Sequence, residues 1–176
     1  MREIERKLLS ELMKNSRRSD RELARVIECS QPTVTRTRGR LEKEGYIKEY
    51  TLIPDFCKLG YELMSLTFVK LRKGLDTEGV DKARKIAQEG LPKTPFAVVM
   101  MERGRGLGYE GVVISLHENY TSHLKLMNLL RQFAFLDIST IESFLISLDD
   151  AVHYRALTFA SLANHLLTQK AKEKRE

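Results

Sequence analysis

Residues 15–47 read NSRRSDRELARVIECSQPTVTRTRGRLEKEGYI, and this stretch contains the signals that begin and end two short helices. Ser19 and Glu22 have the S-x-x-E spacing of a capping box, in which each side chain satisfies a backbone N–H at a helix start. The spacing predicts a helix that begins at Asp20. Its buried side is expected to carry Leu23, Ala24 and Ile27.

A second helix start follows within a few residues. Ser30 is a favourable N-cap residue, and Pro32 falls in the first turn, where its missing N–H does no harm. Gly45 can end the helix in the left-handed conformation, so a helix is predicted over about residues 31–44. Two helices joined by a short turn, the second of them basic, are the layout of a helix-turn-helix that reads DNA.

The second of these helices has an apolar side and a basic side. At about 100° per residue, Val34 and Leu41 fall together on the apolar side. The opposite side is predicted to carry Thr33, Arg36, Arg40 and Lys43. A helix fits the major groove of B-form DNA, where arginine can donate two hydrogen bonds to guanine. Arg36 and Arg40 are therefore predicted to point toward DNA.

Arginines near the start of the preceding helix are placed to contact phosphates rather than bases. The alternative for any single basic helix is a solvated face, but here the capping signals, the short turn and the one-sided arginines agree with one another. The complete set of predicted DNA contacts is Arg17, Arg18, Arg21, Ser30, Gln31, Thr33, Thr35, Arg36, Arg40 and Lys43.

The chain resembles the leucine-responsive/asparagine-regulator (Lrp/AsnC) family of prokaryotic transcription factors, particularly its archaeal branch. The resemblance is strong up to Gly60 and weaker beyond it. It implies a winged helix-turn-helix followed by a ferredoxin-like domain that dimerises and often senses small molecules. The matching segments are IERKLL at 4–9, SRR at 16–18, RELA at 21–24, SQPTVTR at 30–36, RLEKEGYIK at 40–48, Pro54 and KLG at 58–60.

Two residues depart from the family pattern. Glu28 stands where the family usually has a turn glycine, and a left-handed conformation there would cost free energy. Arg38 lies on the same side as Val34 and Leu41, where the family often has an aliphatic residue. Either Arg38 reaches out to a phosphate or a neighbouring carboxylate, or the helix packs less tightly than usual.

The basic residues are unevenly distributed. The chain has 176 residues, enough for two small domains, and a formal net charge of +6. Residues 1–60 contain 14 Lys and Arg against 10 Asp and Glu, whereas residues 61–169 contain 12 of each kind. The distribution predicts a nucleic-acid-binding part in the amino-terminal third and a second part with another task.

Cysteine usage and hydropathy favour a soluble cytoplasmic protein. Cys29 and Cys57 are far apart and lack metal-ligand spacing, so they are expected to be core thiols in a reducing compartment. No apolar run approaches the roughly 20 residues needed to span a bilayer, and the start MREIERK does not resemble a signal peptide. No membrane partner is expected.

The first domain is predicted to span residues 1–53. Apolar residues at helical spacing predict a first helix over about residues 2–15. Residues 46–53 (YIKEYTLI) are rich in aromatic and β-branched side chains and predict a small sheet element, the wing. Residues 54–60 are expected to form a linker to the second domain.

From Tyr61 the periodicity becomes that of an α+β domain. Residues 61–149 are predicted to contain four strands and two helices in the order βαββαβ, which is the ferredoxin-like arrangement. The strands are expected at 63–71, 96–101, 112–116 and 138–148, and the helices at 77–88 and 121–133. Residues 150–176 are expected to add an amphipathic C-terminal helix over 150–169, packed on the sheet domain or a neighbouring subunit, and a charged tail.

The predicted sheet needs a cover on its second face, because two helices can shield only one. The segments FAVVMM, VVISL and FLIS are apolar at consecutive positions, which is typical of burial on both faces. The simplest cover is a second copy of the chain. A homodimer or higher oligomer is therefore predicted, and it would present two recognition helices to double-stranded DNA.

Residues 103–111 (RGRGLGYEG) are the unusual stretch of the second domain. Four glycines predict a tight or mobile loop, without the fingerprint of a dinucleotide-binding or phosphate-binding loop. In the resembling family, such loops border an effector cleft between subunits, which makes Arg103, Arg105 and Tyr109 candidates to bind an anionic small molecule. The alternative is a glycine-rich connection with exposed arginines.

No catalytic or metal site and no cofactor is predicted. The histidines are scattered, without partners at metal-ligand spacing: His117, His123, His153 and His165. One alternative is an enzyme like the siroheme decarboxylases, which resemble this family, but their histidine-rich and arginine-rich motifs are not found here. Another is a protein interaction module that has lost DNA binding. Against it stand Arg17, Arg18, Arg36 and Arg40.

Overall fold

The computed structural model describes residues 1–90, 93–150, 152 and 157–168. They form two compact units: the first combines Met1–Ile53 with the described residues 157–168, and the second begins at Pro54 and contains the sheet. The helices are α1 (Glu3–Lys14), α2 (Asp20–Val26), α3 (Gln31–Lys43), α4 (Thr77–Gly90), α5 (Tyr120–Arg131) and α6 (Ala160–Thr168). The strands are β1 (Leu63–Val69), β2 (Ala97–Gly106), β3 (Tyr109–His117) and β4 (Glu142–Ser147).

Helices α1, α2 and α3 surround one apolar core in the first unit. The predicted capping box is present: the Ser19 hydroxyl accepts from the N–H of Glu22, whose carboxylate accepts from the N–H of Ser19. Ser30 caps α3 by accepting from the N–H of Thr33. Burial of each large core side chain stabilises the unit by about 1.5–3 kcal/mol. The core consists of Leu8, Leu12, Leu23, Ala24, Ile27, Val34 and Leu41.

The turn between α2 and α3 passes through Glu28, whose φ angle is +57°. This is the left-handed region, which costs a residue with a Cβ atom about 1–2 kcal/mol. The N–H of Cys29 donates to the carbonyl of Ala24 at 3.0 Å and closes the turn. The expected cost of a non-glycine residue at this position is therefore present, and packing of the three helices must offset it.

The sheet element predicted at residues 46–53 is wrong: this segment contains no strand, although all of it is described. A strand needs a neighbour that supplies main-chain hydrogen bonds. Here the bonds go to α3 instead. The N–H groups of Tyr46 and Ile47 both donate to the carbonyl of Leu41, at 2.9 and 3.2 Å. A side-chain bond adds to these, because the Tyr50 hydroxyl donates to the Glu42 carboxylate at 2.7 Å.

The carboxy-terminal helix is shorter than predicted and packs in a different place. α6 covers Ala160–Thr168, whereas residues 151, 153–156 and 169–176 of the predicted helix and tail lie outside the described residues. Ala163 is fully buried and α6 contacts α1, so within this chain the helix packs on the first unit and not on the sheet domain. The small side chain of Ala163 permits a close approach of the two helices.

The second unit contains a four-stranded antiparallel sheet with the strand order β2-β3-β1-β4. α4 connects β1 to β2, and α5 connects β3 to β4. This is the βαββαβ order of a ferredoxin-like fold, which confirms the fold class predicted from the sequence. The core beside α5 is formed by Leu126, Met127, Leu130 and Leu136.

The two faces of the sheet differ in composition. On the face toward α5, the Thr67 and Ser143 hydroxyls share a 2.9 Å hydrogen bond and both approach the sulfur of Met127. The opposite face is mostly apolar, with Glu102 and Glu142 at the two ends of one row, and Phe144 on it is 63% exposed. We call it the open sheet face. Two rows of paired residues cross all four strands there, namely Met100, Ile114, Leu66 and Phe144, and Ala97, Leu116, Met64 and Ile146.

Strands β2 and β3 form a longer hairpin than predicted. β2 continues to Gly106 and β3 starts at Tyr109, so the turn consists of Leu107 and Gly108, with φ angles of 52° and 84°. Two positive φ angles are typical of the two-residue type I′ turn, whose twist matches that of the strands. The loop predicted over residues 103–111 is therefore mostly strand.

Candidate functional site

The side of α3 that faces away from the core is exposed. We call it the outer face of α3. It is formed by Pro32, Thr35, Arg36, Gly39 and Lys43. Arg36 and Lys43 make no ion pair within the described part of the chain, and they lie about 10 Å apart along the helix axis. This face therefore presents two unneutralised cations on a rigid helix.

Arg40 does not belong to the outer face, in contrast to the prediction. Its guanidinium forms an ion pair with Glu5 of α1 and lies 3.9 Å from the carboxylate of Glu44. Glu5 is only 6% exposed, so its carboxylate needs a cation nearby. Helical periodicity places Arg40 about 40° from Arg36, which is too close for the pattern to distinguish a DNA-facing residue from one that faces α1.

Arg18 and Arg38 also act inside the domain. Arg18 pairs with Glu11 of α1, which leaves it less available for a phosphate than predicted. Lys14 and Arg18 lower the pKa of the Glu11 carboxyl. Arg38 pairs with Asp20 at 2.8 Å and donates to the carbonyl of Arg18 at 3.3 Å. Arg38 therefore reaches a neighbouring carboxylate, which is one of the alternatives that the sequence left open.

Hydroxyl groups at the start of α3 have partners within the domain. The side chains of Ser30 and Thr33 share a hydrogen bond of 2.8 Å, and the Thr35 hydroxyl donates to Asp20 at 2.6 Å. Gln31 is exposed beside them. These hydroxyls position the first turn of α3, so a structural role already accounts for their presence.

Three exposed arginines precede α3. Arg17 lies before α2, and Arg21 and Arg25 lie one turn apart on the same side of α2. None of the ion pairs found among the described residues involves them. The prediction from the sequence omits Arg25, although its spacing of four residues from Arg21 was the available signal.

Tyr50 attaches the segment after α3 to that helix. Burial and the hydrogen bond to Glu42 raise the pKa of Tyr50 to about 12. The Arg38 guanidinium lies 5.8 Å from the centre of the Tyr50 ring, a distance suited to a cation–π contact. Tyr50 thus remains a protonated donor and binds both a cation and an anion of the helix-turn-helix.

A buried polar cluster surrounds His117 in the second unit. Its Nε2 atom lies 2.9 Å from the Ser115 hydroxyl and 3.2 Å from the Ser65 hydroxyl, and its ring packs edge-on against His123. Burial lowers the pKa of His117 to about 4 and also lowers the pKa of His123. Both imidazoles are therefore neutral near neutral pH. Across the described ranges, no group of three or more His, Cys, Asp or Glu residues could hold a metal ion.

A cleft of about 300 Å³ opens between α4 and the sheet, and we call it the α4 cleft. Of the three candidate effector residues, only Arg103 lines it. Arg105 is exposed on β2 outside the cleft, and the ring of Tyr109 packs on Phe68 with a centroid distance of 5.6 Å. A hydrogen bond to Glu142 raises the pKa of Tyr109. Within the single chain the hairpin directs these three residues to different places, so their joint binding of an anionic ligand stays a prediction.

Residues 1–48 match the family model described as winged helix-turn-helix DNA-binding. These residues of the first unit therefore match the winged helix-turn-helix class of domains, whose described role is DNA binding. LrpC of Bacillus subtilis is 48% identical over 58 residues, which cover 33% of this chain and 40% of that protein. An uncharacterized HTH-type transcriptional regulator of Pyrococcus horikoshii is 34% identical over 83 residues, covering 46% of this chain and 55% of that protein. The chain thus spans about half the length of the relatives that it matches.

Solved structures match over most of the chain. An AsnC family transcriptional regulator from Agrobacterium tumefaciens has a TM-score of 0.72 at 15% identity, covering 92% of this chain and 99% of that one. The crystal structure of the Pyrococcus horikoshii protein has a TM-score of 0.69 at 23% identity, covering 89% and 98%. These likenesses establish a shared fold.

The predicted resemblance to Lrp/AsnC regulators is confirmed. The sequence relatives are HTH-type transcriptional regulators that include LrpC, and the structural neighbours are Lrp/AsnC regulators. These relatives are named as regulators rather than as enzymes. Over the part of the chain that the structure describes, no helix combines the length and the apolar character that a membrane crossing requires.

Because Arg40 forms an ion pair and Arg36 does not, we expect their replacement by alanine to change the free energy of unfolding by different amounts. Arg40→Ala should lower the free energy of unfolding by about 1–3 kcal/mol, because the buried Glu5 carboxylate would keep only Arg2 as a cationic partner. Arg36→Ala should change it by less than about 0.5 kcal/mol, since Arg36 is exposed. Urea-induced unfolding followed by circular dichroism measures both values, and equal losses would contradict the assignment.

Proposed function

We propose that this protein is a sequence-specific DNA-binding transcriptional regulator that acts as a dimer or higher oligomer in the cytoplasm. The observation that carries the proposal is the outer face of α3, where Arg36 and Lys43 remain exposed while Arg18, Arg38 and Arg40 are paired with carboxylates of the same domain. The match of residues 1–48 to a DNA-binding domain supports it.

The proposed binding mode places α3 in the major groove. Arg36 is the candidate to donate to a guanine edge, and Lys43 lies near enough to the end of α3 to reach a phosphate. The exposed arginines Arg17, Arg21 and Arg25 would contact phosphates beside the groove. Contacts with base edges supply sequence preference, whereas contacts with phosphates supply affinity that depends on the salt concentration.

The proposed dimer uses the open sheet face. Its apolar side chains are matched across four neighbouring strands, and Phe144 and Ile146 on the edge strand are exposed in the single chain. A contiguous apolar face of this kind marks an interaction surface. A second copy supplies an identical apolar face, and twofold symmetry would carry two α3 helices to half-sites about 34 Å apart.

A small-molecule effector is part of the proposal. A transcriptional regulator from Neisseria meningitidis, solved in complex with L-Met, has a TM-score of 0.71 to this chain at 17% identity. Of the residues that the sequence suggested for an anionic ligand, Arg103 keeps a place at a cleft, whereas Arg105 and Tyr109 do not.

The DNA-binding proposal predicts distinct effects for two kinds of arginine. On a duplex selected from random sequence by the wild-type protein, Arg36→Ala should lose about 1–3 kcal/mol of binding free energy and relax the preference at one base pair. Arg21→Ala should weaken binding to all sequences alike and reduce the salt slope by about one. Fluorescence anisotropy at several salt concentrations measures both effects, with Lys85→Ala on α4 as the control that should bind normally. Failure of the wild-type protein to select any duplex would refute the proposal.

The dimer proposal predicts that a charge on the open sheet face separates the subunits. Phe144→Glu should sediment as a monomer at micromolar concentration, because dimerisation would bury an unpaired carboxylate against apolar side chains. Leu107→Glu, an equivalent change at the exposed hairpin turn, should remain a dimer like the wild-type protein. Analytical ultracentrifugation distinguishes these results, and a monomeric wild-type protein would exclude the proposed dimer.

A further inference from the structure

The α4 cleft has the features of a ligand site, and we propose that it binds a small apolar monocarboxylate whose carboxylate is held by Arg103. Binding of such a ligand does not depend on the proposed DNA-binding function. Only its effect on DNA affinity would rest on that function.

The residues around the cleft leave room that larger side chains would fill. α4 turns Ala83 and Ala87 toward the sheet, and β3 opposes them with Gly111, which has no side chain. A Cβ atom at Gly111 would lie 3.0 Å from Cγ2 of Val69, so a larger residue could not take this position without a shift. The open volume of the cleft therefore results from the small size of Ala83, Ala87 and Gly111 together.

The size and the walls of the cleft set the chemistry of its occupant. A volume of about 300 Å³ corresponds to roughly ten water molecules, or an organic molecule of roughly ten non-hydrogen atoms. The inner wall is apolar, with Val113, Leu130 and Leu136 all buried. An apolar wall gives water few hydrogen-bond partners, whereas a hydrocarbon group gains from leaving water.

Two cations line the cleft, Arg84 and Arg103. Arg84 pairs with Asp81 at 3.0 Å, so Arg103 is the cation left to select an anion. It pairs with Gly111 across the hairpin, so it lies on the sheet face toward the cleft. Glu102 also borders the cleft, although alternation along the strand directs its side chain to the other face. Glu110 at the cleft accepts from the N–H of Leu71 at 3.0 Å. Arg103 has no carboxylate partner within the described residues, and its guanidinium can hold a carboxylate by two hydrogen bonds.

Calorimetric titration with octanoate, octanol and octylamine tests the proposal, because the three probes share one hydrocarbon chain and differ in the head group. We expect octanoate to bind at one site per chain and to bind at least about tenfold more tightly than the other two. Arg103→Gln should weaken octanoate binding at least about tenfold, and Ala87→Phe should abolish it by filling the cleft. Arg105→Gln, on the same strand but outside the cleft, is the matched control and should bind as the wild-type protein does.

Three results would overturn the assignment: no binding of octanoate, equal binding by wild type and Arg103→Gln, or a preference for octylamine, which would point to Glu110. Arg103→Gln changes an exposed side chain, so its result holds even if Ala87→Phe fails to fold. A change in the affinity for selected DNA on addition of octanoate is measured separately. Its absence would leave the ligand site intact and remove only its regulatory role.

An independent observation concerns Gly39, and we infer that DNA approaches the backbone of α3 at this residue. The inference rests on the proposed function. Gly39 lies within α3 on the outer face, one turn from Arg36 and from Lys43. A glycine inside a helix weakens it relative to alanine.

The free protein gives no reason for this glycine. A Cβ atom built at Gly39 meets nothing within 4 Å, and its φ angle is not among the positive values of the chain. Alanine would therefore fit and would favour the helix. The missing side chain leaves the backbone of α3 open to a surface that approaches from outside, and the adjacent cations favour DNA as that surface.

The experiment measures stability and DNA binding of Gly39→Ala together. Its thermal midpoint should rise by a few degrees, while its affinity for the duplex selected by the wild-type protein should fall at least about tenfold. Gly90→Ala on α4 is the matched control: it is also a helical glycine, its added methyl makes an ordinary 3.8 Å contact with Ile86, and its DNA affinity should not change.

Equal DNA affinity of Gly39→Ala and wild type would overturn the inference while leaving the DNA-binding proposal intact. A wild-type protein that selects no duplex would overturn both. A lower thermal midpoint for Gly39→Ala would show that the free protein itself needs the glycine, which also contradicts the inference.

Discussion

The ion pair between Glu5 and Arg40 links α3 to α1 beside the apolar core that the two helices share. A buried carboxylate without a cation would cost several kcal/mol, so the position of one helix is tied to the charge of the other. Arg38 and Asp20 link α3 to α2 in a similar way. The charges of Arg38 and Arg40, on the flanking and inner sides of α3, are neutralised by these ion pairs. The outer face keeps its positive charge because, among the described residues, no carboxylate forms an ion pair with Arg36 or Lys43.

Local signals were sufficient to predict the helices of the first unit, because caps such as that of Ser19 act within one turn. They could not assign the arginines. The partners of Arg18 and Arg40 lie on α1, and a periodicity argument contains no information about a helix tens of residues away. The strand predicted at residues 46–53 failed for a related reason: strand-forming residues indicate a strand only where a neighbour is available to pair.

In the second unit, the order of elements followed from the sequence because strands and helices alternate with distinct periods. The consecutive apolar residues of the strands also indicated a face that a single chain leaves open. The long hairpin did not follow, because glycines at 104, 106 and 108 have the same appearance in a loop as in a strand with a tight turn. The α4 cleft could not be foreseen, since it depends on Ala83, Ala87 and Gly111 facing one another across the fold.

The packing of α6 on α1 has a consequence for biosynthesis. The helices that form the DNA-binding unit leave the ribosome early, but the segment that covers α1 emerges only after the whole sheet unit. Until then, the side of α1 that packs against Ala163 is exposed to solvent, and the nascent first unit is incomplete. An excised fragment of residues 1–53 would also lack α6. Its thermal midpoint would therefore be lower than that of the same helices in the full chain.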